Sequence, residues 1–349
     1  MVQAQFHTLK MPQASPAVVE TQQLGVTNIT VDYSSPAVKG RKVFETVVPK
    51  NGDPIPWRAG ANINTKITFS TDVLINGKSL QAGTYGFHTI PSEGDWTLIF
   101  AHASEQWGSY YLDRDKDVSL EVSATPVEHS FSENLNYTFE NRTDSTLEVA
   151  IAWENLRIPF TVGVDLNTTV LHSLRSELRG INTYHWQAWS DAAQWCLNRN
   201  TNLDEALVWV NRSIDGGYGG FAGNKNMTNL ALKSDILYKI GDKKTAENIL
   251  QESLAHANSA DDMYGSGMNL LRTKRTVEAV DVFAQCTKKY PKVWFPYLGQ
   301  ARALSQIGDF KQAIKAIDKA IALAPDNSPQ DYRPYLTTQK EKLVKKEEI

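Results

Sequence analysis

Cysteine is nearly absent from this chain: of 349 residues only Cys196 and Cys286 carry a thiol. Nothing up to Asp165 can rest on a disulfide framework, so a fold there must rely on a hydrophobic core. Both cysteines fall on apolar helical stripes, where a free thiol acts as a small hydrophobe. Also missing is any run near the roughly 20 apolar residues that span a bilayer, and no charged-then-apolar leader opens the sequence. The polar, small segment Met1-Val2-Gln3-Ala4-Gln5 fits the stump of a cut signal as well as it fits an unstructured N-terminus. No dense basic face is present. Twelve Lys and Arg stand against 19 Asp and Glu up to Asp165, and 24 against 20 beyond it. That balance sets nucleic-acid binding aside.

Catalytic signatures are lacking too. There is no Gly-x-Ser-x-Gly elbow, phosphate loop or dinucleotide fingerprint, and the Gly216–Gly223 stretch follows no strand, so it reads as a turn between repeats. None of the seven histidines stands at a metal-ligand spacing, although His88 and His102 could meet across paired strands. Asp113-Arg-Asp-Lys-Asp117 lacks the glycine and the twelfth-position Glu of a calcium loop and reads as a solvated turn. No metal or other cofactor is called for, no residue is singled out as catalytic, and binding is favoured over catalysis.

What is present falls into two patterns. Up to Asp165, short alternating runs such as Asn28–Tyr33, Lys66–Phe69, Asp72–Ile75, Trp96–Phe100 and Leu147–Trp153 are punctuated by Asn76-Gly77, Ala82-Gly83 and Glu93-Gly94. Asn-Gly between apolar runs is a hairpin signal, and many short strands at this interval imply an antiparallel β-sandwich or barrel-like domain. After Thr168 the period becomes helical. Gly241-Asp242 precedes Ala246 by the offset that separates Gly308-Asp309 from Ala313. With Ala206 and Ala279 placed at the same point, the four alanines stand 40, 33 and 34 residues apart, close to the tetratricopeptide period. Ser213, Ser253, Cys286 and Ala320 follow seven residues later, and Gln194, Ser234, Gly267 and Ala301 stand twelve before. Two helices can cross closely only where such side chains lack bulk. The third unit has Lys274-Arg275 in place of Gly-Asp, and the first is degenerate.

The expected organisation is a β-domain followed by an α-helical solenoid. Residues 1–11 form a disordered N-terminus or signal remnant, 12–165 the all-β domain, and 166–186 a linker or first helix. Residues 187–327 form four tetratricopeptide-like hairpins, and the charged 328–349 segment a capping helix, since terminal repeats need a polar cover.

Several clusters in the first part are unusually dense: Tyr33-Ser-Ser-Pro36 with Lys39-Gly-Arg41, Trp57-Arg58-Ala-Gly-Ala-Asn62, Ala82-Gly-Thr-Tyr85 with Ile90-Pro91, Gln106-Trp107-Gly108, and Trp153-Glu154 before Ile158-Pro159. Together they resemble a family of secreted proteins common in Bacteroidetes and known as domain of unknown function 2911. The resemblance covers about Pro12 to Phe160 and implies export to the periplasm, the outer membrane or beyond. Ile63 stands where that family has an acidic residue, Ser35 where it has Arg, and Lys50–Pro56 is stretched. The first two departures weaken the carry-over of any shared polar site.

Candidate binding residues are Trp57, Arg58, Asn62, Tyr85, His88, Trp107, Tyr110 and Glu154. Arg58 suits bidentate recognition of carboxylate or phosphate, but pairing with Glu154 to fix the sandwich is the favoured expectation. The aromatic residues, with the adjacent pair Tyr110-Tyr111 the best exposed, could offer sugar rings a platform, although alternation turns Trp96 and Trp153 inward. The reading is a binding or scaffolding protein outside the cytoplasm, with the repeat groove holding a peptide or protein partner. The alternatives are a β-domain for glycan or envelope polymer, or a hydrolase cleft built from Arg58, Asn62, Glu154 and His88.

Overall fold

The computed structural model describes residues 12–48, 56–325 and 332–349. The expectations for residues 1–11, for most of the stretched 50–56 segment and for the first part of the 328–349 segment fall outside the described residues. The chain divides into two compact units between Ser176 and Glu177.

The first unit contains strands β1 (Ala17–Leu24), β2 (Thr27–Ser34), β3 (Thr65–Phe69), β4 (Val73–Ile75), β5 (Lys78–Leu80), β6 (Gly83–Ile90), β7 (Trp96–Ala101), β8 (Val118–Ala124), β9 (Val127–Glu140) and β10 (Thr146–Gly163). Two one-turn helices, α1 (Val43–Thr46) and α2 (Arg114–Asp117), interrupt them. A six-stranded sheet runs β1-β2-β3-β6-β7-β8 and a four-stranded sheet β5-β4-β10-β9. Every pairing within them is antiparallel. Alternation decides which face is inward: Ile29, Val31 and Tyr33 of β2, and Ile67 and Phe69 of β3, are buried. They join Val73, Ile75, Val149, Ile151 and Phe160 of the other sheet in one core. The domain is therefore a sandwich. Asn76 (φ 46°) and Gly77 (φ 81°) connect β4 to β5 in a two-residue turn with both residues left-handed, the geometry for which Asn-Gly is suited.

Helix α3 (Leu166–Glu177) fills much of the expected linker and closes the first unit. The second unit is helical, and a 3-10 turn at Ile181–Tyr184 comes first. Four hairpins come next: α4 (Trp186–Arg199) with α5 (Leu203–Asp215), α6 (Met227–Ile240) with α7 (Lys243–Ala255), α8 (Ala260–Arg272) with α9 (Thr276–Lys289), and α10 (Phe295–Gln306) with α11 (Phe310–Leu323). Helix α12 (Arg333–Val344) buries Leu336 and Leu343 against the last hairpin. In the second and fourth hairpins Gly241 (φ 97°) and Gly308 (φ 83°) end one helix in the left-handed region. Asp242 and Asp309 then cap the next, accepting from the N–H of Thr245 and Gln312. The four crossing alanines are fully buried, and so are Ser213, Ser253, Cys286 and Ala320. Cys196 and Cys286 are buried free thiols.

The first hairpin corrects one expectation. Gln194 is exposed, and Ala193 is the buried small residue. The link from α4 to α5 carries two left-handed residues, Asn200 (φ 50°) and Asn202 (φ 48°), which absorb an extra residue and shift the register by one. Among the described residues no helix is long and apolar enough to cross a membrane.

Candidate functional site

The segment Trp57–Asn62 leaves the sandwich as a tight coil. Ala59 (φ 51°) and Asn62 (φ 62°) are both left-handed, and the Ala59 carbonyl accepts from Tyr137 Oη (2.9 Å) and Thr65 Oγ1 (3.0 Å). A side chain on Gly60 would meet Thr65 Oγ1 at 2.7 Å, so only glycine lets the coil lie this close to the sheet. Trp57 is tied to β6 by two backbone bonds with Thr89 (2.7 and 2.8 Å). Its ring stacks on Trp153 at 6.0 Å and meets Trp96 edge-on at 6.5 Å. All three indoles are buried, so Trp57 is first of all a core anchor.

The coil borders a groove of about 490 Å³ whose walls include Lys39, Arg41, Trp57, Arg58, Asn62 and Trp153. Arg58 is half-buried. Its Nη1 donates to the Asn62 carbonyl, and its guanidinium lies 5.8 Å from the Tyr110 ring centroid. It also packs so close to Gly108 that a side chain there would touch the guanidinium carbon at 2.8 Å. Asn62 Nδ2 donates to Ser34 Oγ (3.1 Å) and to the Ser15 carbonyl (3.3 Å).

The expected Arg58–Glu154 pair does not form. A register shift in β10 puts Glu154 in a bulge with φ 52°, and its Oε2 accepts from the Val43 N–H (3.1 Å) at the start of α1. There it borders a separate hollow with Lys42, Phe44 and Glu45. The bulge re-aims the side chain, as bulges do.

Behind Arg58, His88 is fully buried and its Nδ1 lies 2.7 Å from Ser109 Oγ. Burial, and then the Arg58 charge, depress its pKa to about 4. Its Nε2 and both polar atoms of the neighbouring buried Asn64 find no partner among the described residues. His102 is instead exposed near Asp117, and among the described residues no group of His, Cys, Asp or Glu could hold a metal. Tyr85 is another core residue. It donates from Oη to the Gln81 carbonyl (2.9 Å), its ring meets Phe69, and burial raises its pKa. By contrast Trp107, Tyr110 and Tyr111 are 60%, 72% and 74% exposed. Tyr110 and Tyr111 sit in a turn and not on a strand, which is why both can face outward.

The structure thus brings Trp57, Arg58 and Asn62 to one groove, with Tyr110 against Arg58 and His88 behind it. It leaves Tyr85 and Glu154 elsewhere. Sequence reasoning missed Lys39, Arg41, Ser109 and Asn64 as site residues. Lys39-Gly40-Arg41 was the available signal, since Gly between two cations marks a turn that can aim both the same way; here Lys39 (φ 51°) and Gly40 (φ 69°) are left-handed.

In the helical unit, a second cavity of about 730 Å³ is lined by Gly265, Met268, Asn269, Leu271 and Arg272 of α8, Arg302 and Gln306 of α10, and Ile349. Side chains one repeat apart meet along these helices, as Asn269 does with Asp235 (2.8 Å) and Arg302 with Met268 (3.9 Å) and Tyr335 (2.7 Å).

Residues 15–162 match the family model described as Protein of unknown function (DUF2911). Residues 263–292 and 296–327 match models described as Tetratricopeptide repeat, which cover the third and fourth hairpins. The chain therefore carries a DUF2911 domain followed by tetratricopeptide repeats. No curated protein matches it. Among solved structures, it is similar to MamA from Desulfovibrio magneticus RS-1 at 19% identity, over 46% of this chain and 88% of that one, with a TM-score of 0.28. A tetratricopeptide repeat protein from Parabacteroides merdae is 17% identical over 50% of this chain and 64% of its own, with a TM-score of 0.33. YrrB, described as a TPR protein with an unusual peptide-binding site, is 19% identical over 48% of this chain and 97% of its own, with a TM-score of 0.26. The tetratricopeptide repeats support a protein-interaction scaffold.

Proposed function

We propose that the chain is an extracytoplasmic scaffold whose repeat unit holds an extended peptide segment of a protein partner in the groove along α8 and α10. The observation that carries this reading is the state of the two arginines in that groove. Arg272 donates to Asn269 Oδ1 (2.7 Å), and Arg302 to the hydroxyls of Tyr335 (2.7 Å) and Tyr264 (3.5 Å). Among the described residues neither makes an ion pair. Both keep donors for a partner's carbonyls or carboxylates, beside the apolar surface of Met268 and Leu271. Repeat solenoids bind along such faces because each repeat adds one rung of side chains to a continuous surface.

The test is affinity purification of the full chain from the envelope fraction of its native cells, run beside Arg272→Glu/Arg302→Glu. A partner retained by the wild type and lost by the variant supports the reading. Identical partner sets, or recovery of the chain only from the cytosolic fraction, would sink it. A glycan-binding β-domain is the second reading, favoured by the exposed trio Trp107, Tyr110 and Tyr111. It requires that Tyr110→Ala release the protein from an isolated envelope polysaccharide. For the hydrolase reading, Glu154 and His88 are not among the described residues that line the groove of Arg58 and Asn62.

A further inference from the structure

The groove beside Trp57 has a chemistry that neither the repeats nor the exposed aromatic trio accounts for. Three cationic residues line it, Lys39, Arg41 and Arg58, and no carboxylate stands among the described residues of its wall. The surrounding unit is acidic, so three cations in one wall run against their background. The Glu133 carboxylate beside them accepts from the Lys39 backbone N–H (2.9 Å) and pairs with none of the three side-chain charges among the described residues. Among the described residues none of the three makes an ion pair. Arg41 is fixed by neutral groups, with Nε donating to the Val38 carbonyl (2.9 Å) and Nη2 to the Ala37 carbonyl (2.5 Å). Arg58 is fixed by the Asn62 carbonyl and the Tyr110 ring. Like charges held together repel one another. Arginines whose orientation is already set lose less freedom on binding than free ones do.

A second, independent observation concerns Trp153, another residue of the wall. Trp153 is 1% exposed and lines the groove, yet its indole Nε1, which can only donate, has no acceptor among the described residues. A buried donor without an acceptor is uncommon in a folded protein. Here it sits in the wall that carries the three cations.

We propose that this groove binds an oxyanion, the phosphate or carboxylate group of a small molecule or of a polymer end. Arg41 and Arg58 would supply charge-assisted hydrogen bonds, Lys39 a third charge, and Trp153 Nε1 a neutral donor. Phosphate and carboxylate share this donor chemistry, so the experiment separates them.

The full chain in an amine buffer at low ionic strength is titrated with inorganic phosphate and, separately, with malonate. Binding is followed by calorimetry and by tryptophan fluorescence, since Trp57 and Trp153 both line the groove. Saturable one-to-one binding of at least one probe is expected, with the tighter probe naming the source. Arg41→Gln and Arg58→Gln should each weaken it at least tenfold, and Lys244→Gln, on the exposed start of α7, should leave it unchanged. Arg41 is exposed, so its variant remains folded and informative even if Arg58→Gln melts early. If neither probe saturates, or if both arginine variants bind as the wild type does, the proposal falls. Because Arg41 and Arg58 lie in the first unit while the scaffold test changes Arg272 and Arg302, failure here leaves the scaffold reading standing, and the converse also holds.

Discussion

Arg275 and Arg58, one in each unit, are held in opposite ways. Arg275 is 3% exposed and stands at the N-cap of α9. It bonds Asp235 of α6 (2.7 Å) and Glu278 (2.6 and 2.7 Å), and lies 4.4 Å from the Tyr238 ring centroid. Its charge is spent on joining the second hairpin to the third. Among the described residues Arg58 has a carbonyl and an aromatic ring for partners and no carboxylate, which leaves its charge unpaired within them. Ordinary sequence reasoning expects the reverse, since Arg275 stands in a link between helices and Arg58 in a dense motif. An arginine's role is decided by whether carboxylates reach it. In the repeat unit the packing of the second hairpin on the third brings Asp235, 40 residues earlier, to Arg275, whereas in the sandwich a bulge turned Glu154 aside.

The sharpest way to break this contrast is to remove Arg275. Asp235 is already pushed to a raised pKa by burial, against the pull of Arg275, so deleting the guanidinium leaves it buried with its bonded counter-charge gone and only the Asn269 amide and the charge of Arg272 to offset it. Arg275→Ala should destabilise the helical unit by about 3–5 kcal/mol, the usual cost of breaking a buried pair. Urea unfolding followed by helical circular dichroism measures it. A loss under about 1 kcal/mol would mean that the pair is not the pin it is taken for.

His88 extends the contrast to pH. Its pKa is near 4 in the fold against about 6.5 in an unfolded chain. Between those values the unfolded state therefore binds more protons. The sandwich is at full strength above pH 6.5 and loses stability as pH falls toward 4, by about 3 kcal/mol in all. His88→Asn removes the titrating group, so the wild-type midpoint should fall across pH 6.5 to 4 while the variant's stays comparatively flat. Parallel curves would overturn the burial argument. Among the described residues of the repeat unit no histidine is buried, so its own transition should not share this slope.

A packing substitution probes the other side of the comparison, the closeness that repetition demands. A side chain on Gly299 would meet the Phe283 ring at 2.2 Å, and one on Gly267 would meet it at 2.6 Å, so two helices seat one ring between them. Gly299→Ala should cost about 1–3 kcal/mol through overpacking, even though alanine favours a helix by about 1 kcal/mol over glycine. Adding Phe283→Leu to make room should recover part of the loss. If the single variant melts at or above the wild-type temperature, the helices are not as close as described.

The repeats were legible because their determinants recur: Gly-Asp turns and small residues at near-34 spacing report the same contact several times. The single miss, Gln194, lay where one link took an extra residue and left-handed asparagines hid it. In the sandwich, strands with clean alternation, such as β2 and β3, could be read from sequence. Strand β6 could not, because Tyr85 to Thr89 are all buried and the run shows no period. The site was less legible still. Trp57, Arg58 and Asn62 stood in one motif, but Lys39 and Arg41 reach the same groove from a distant turn. Trp153 enters from the other sheet, and no local pattern encodes that convergence.

The last test has the smallest expected effect on stability and bears most directly on the comparison. If Arg58 is held only by neutral groups, Arg58→Ala removes a partly exposed cation–π contact worth about 0.5–1 kcal/mol. It also removes a bond to a carbonyl that water can replace, since Asn62 is exposed. No buried carboxylate is left behind, so the 3–5 kcal/mol penalty that threatens Arg275→Ala does not arise. The sandwich should lose only about 1 kcal/mol, read as a shift of a few degrees in the melting of the β-rich unit. Glu154→Gln should behave independently of it, because the two side chains are not partners, and the double variant should equal the sum of the singles within about 0.5 kcal/mol. A large loss in Arg58→Ala, or strong coupling to Glu154→Gln, would show that the arginine serves the fold after all. The difference between the two units would then vanish.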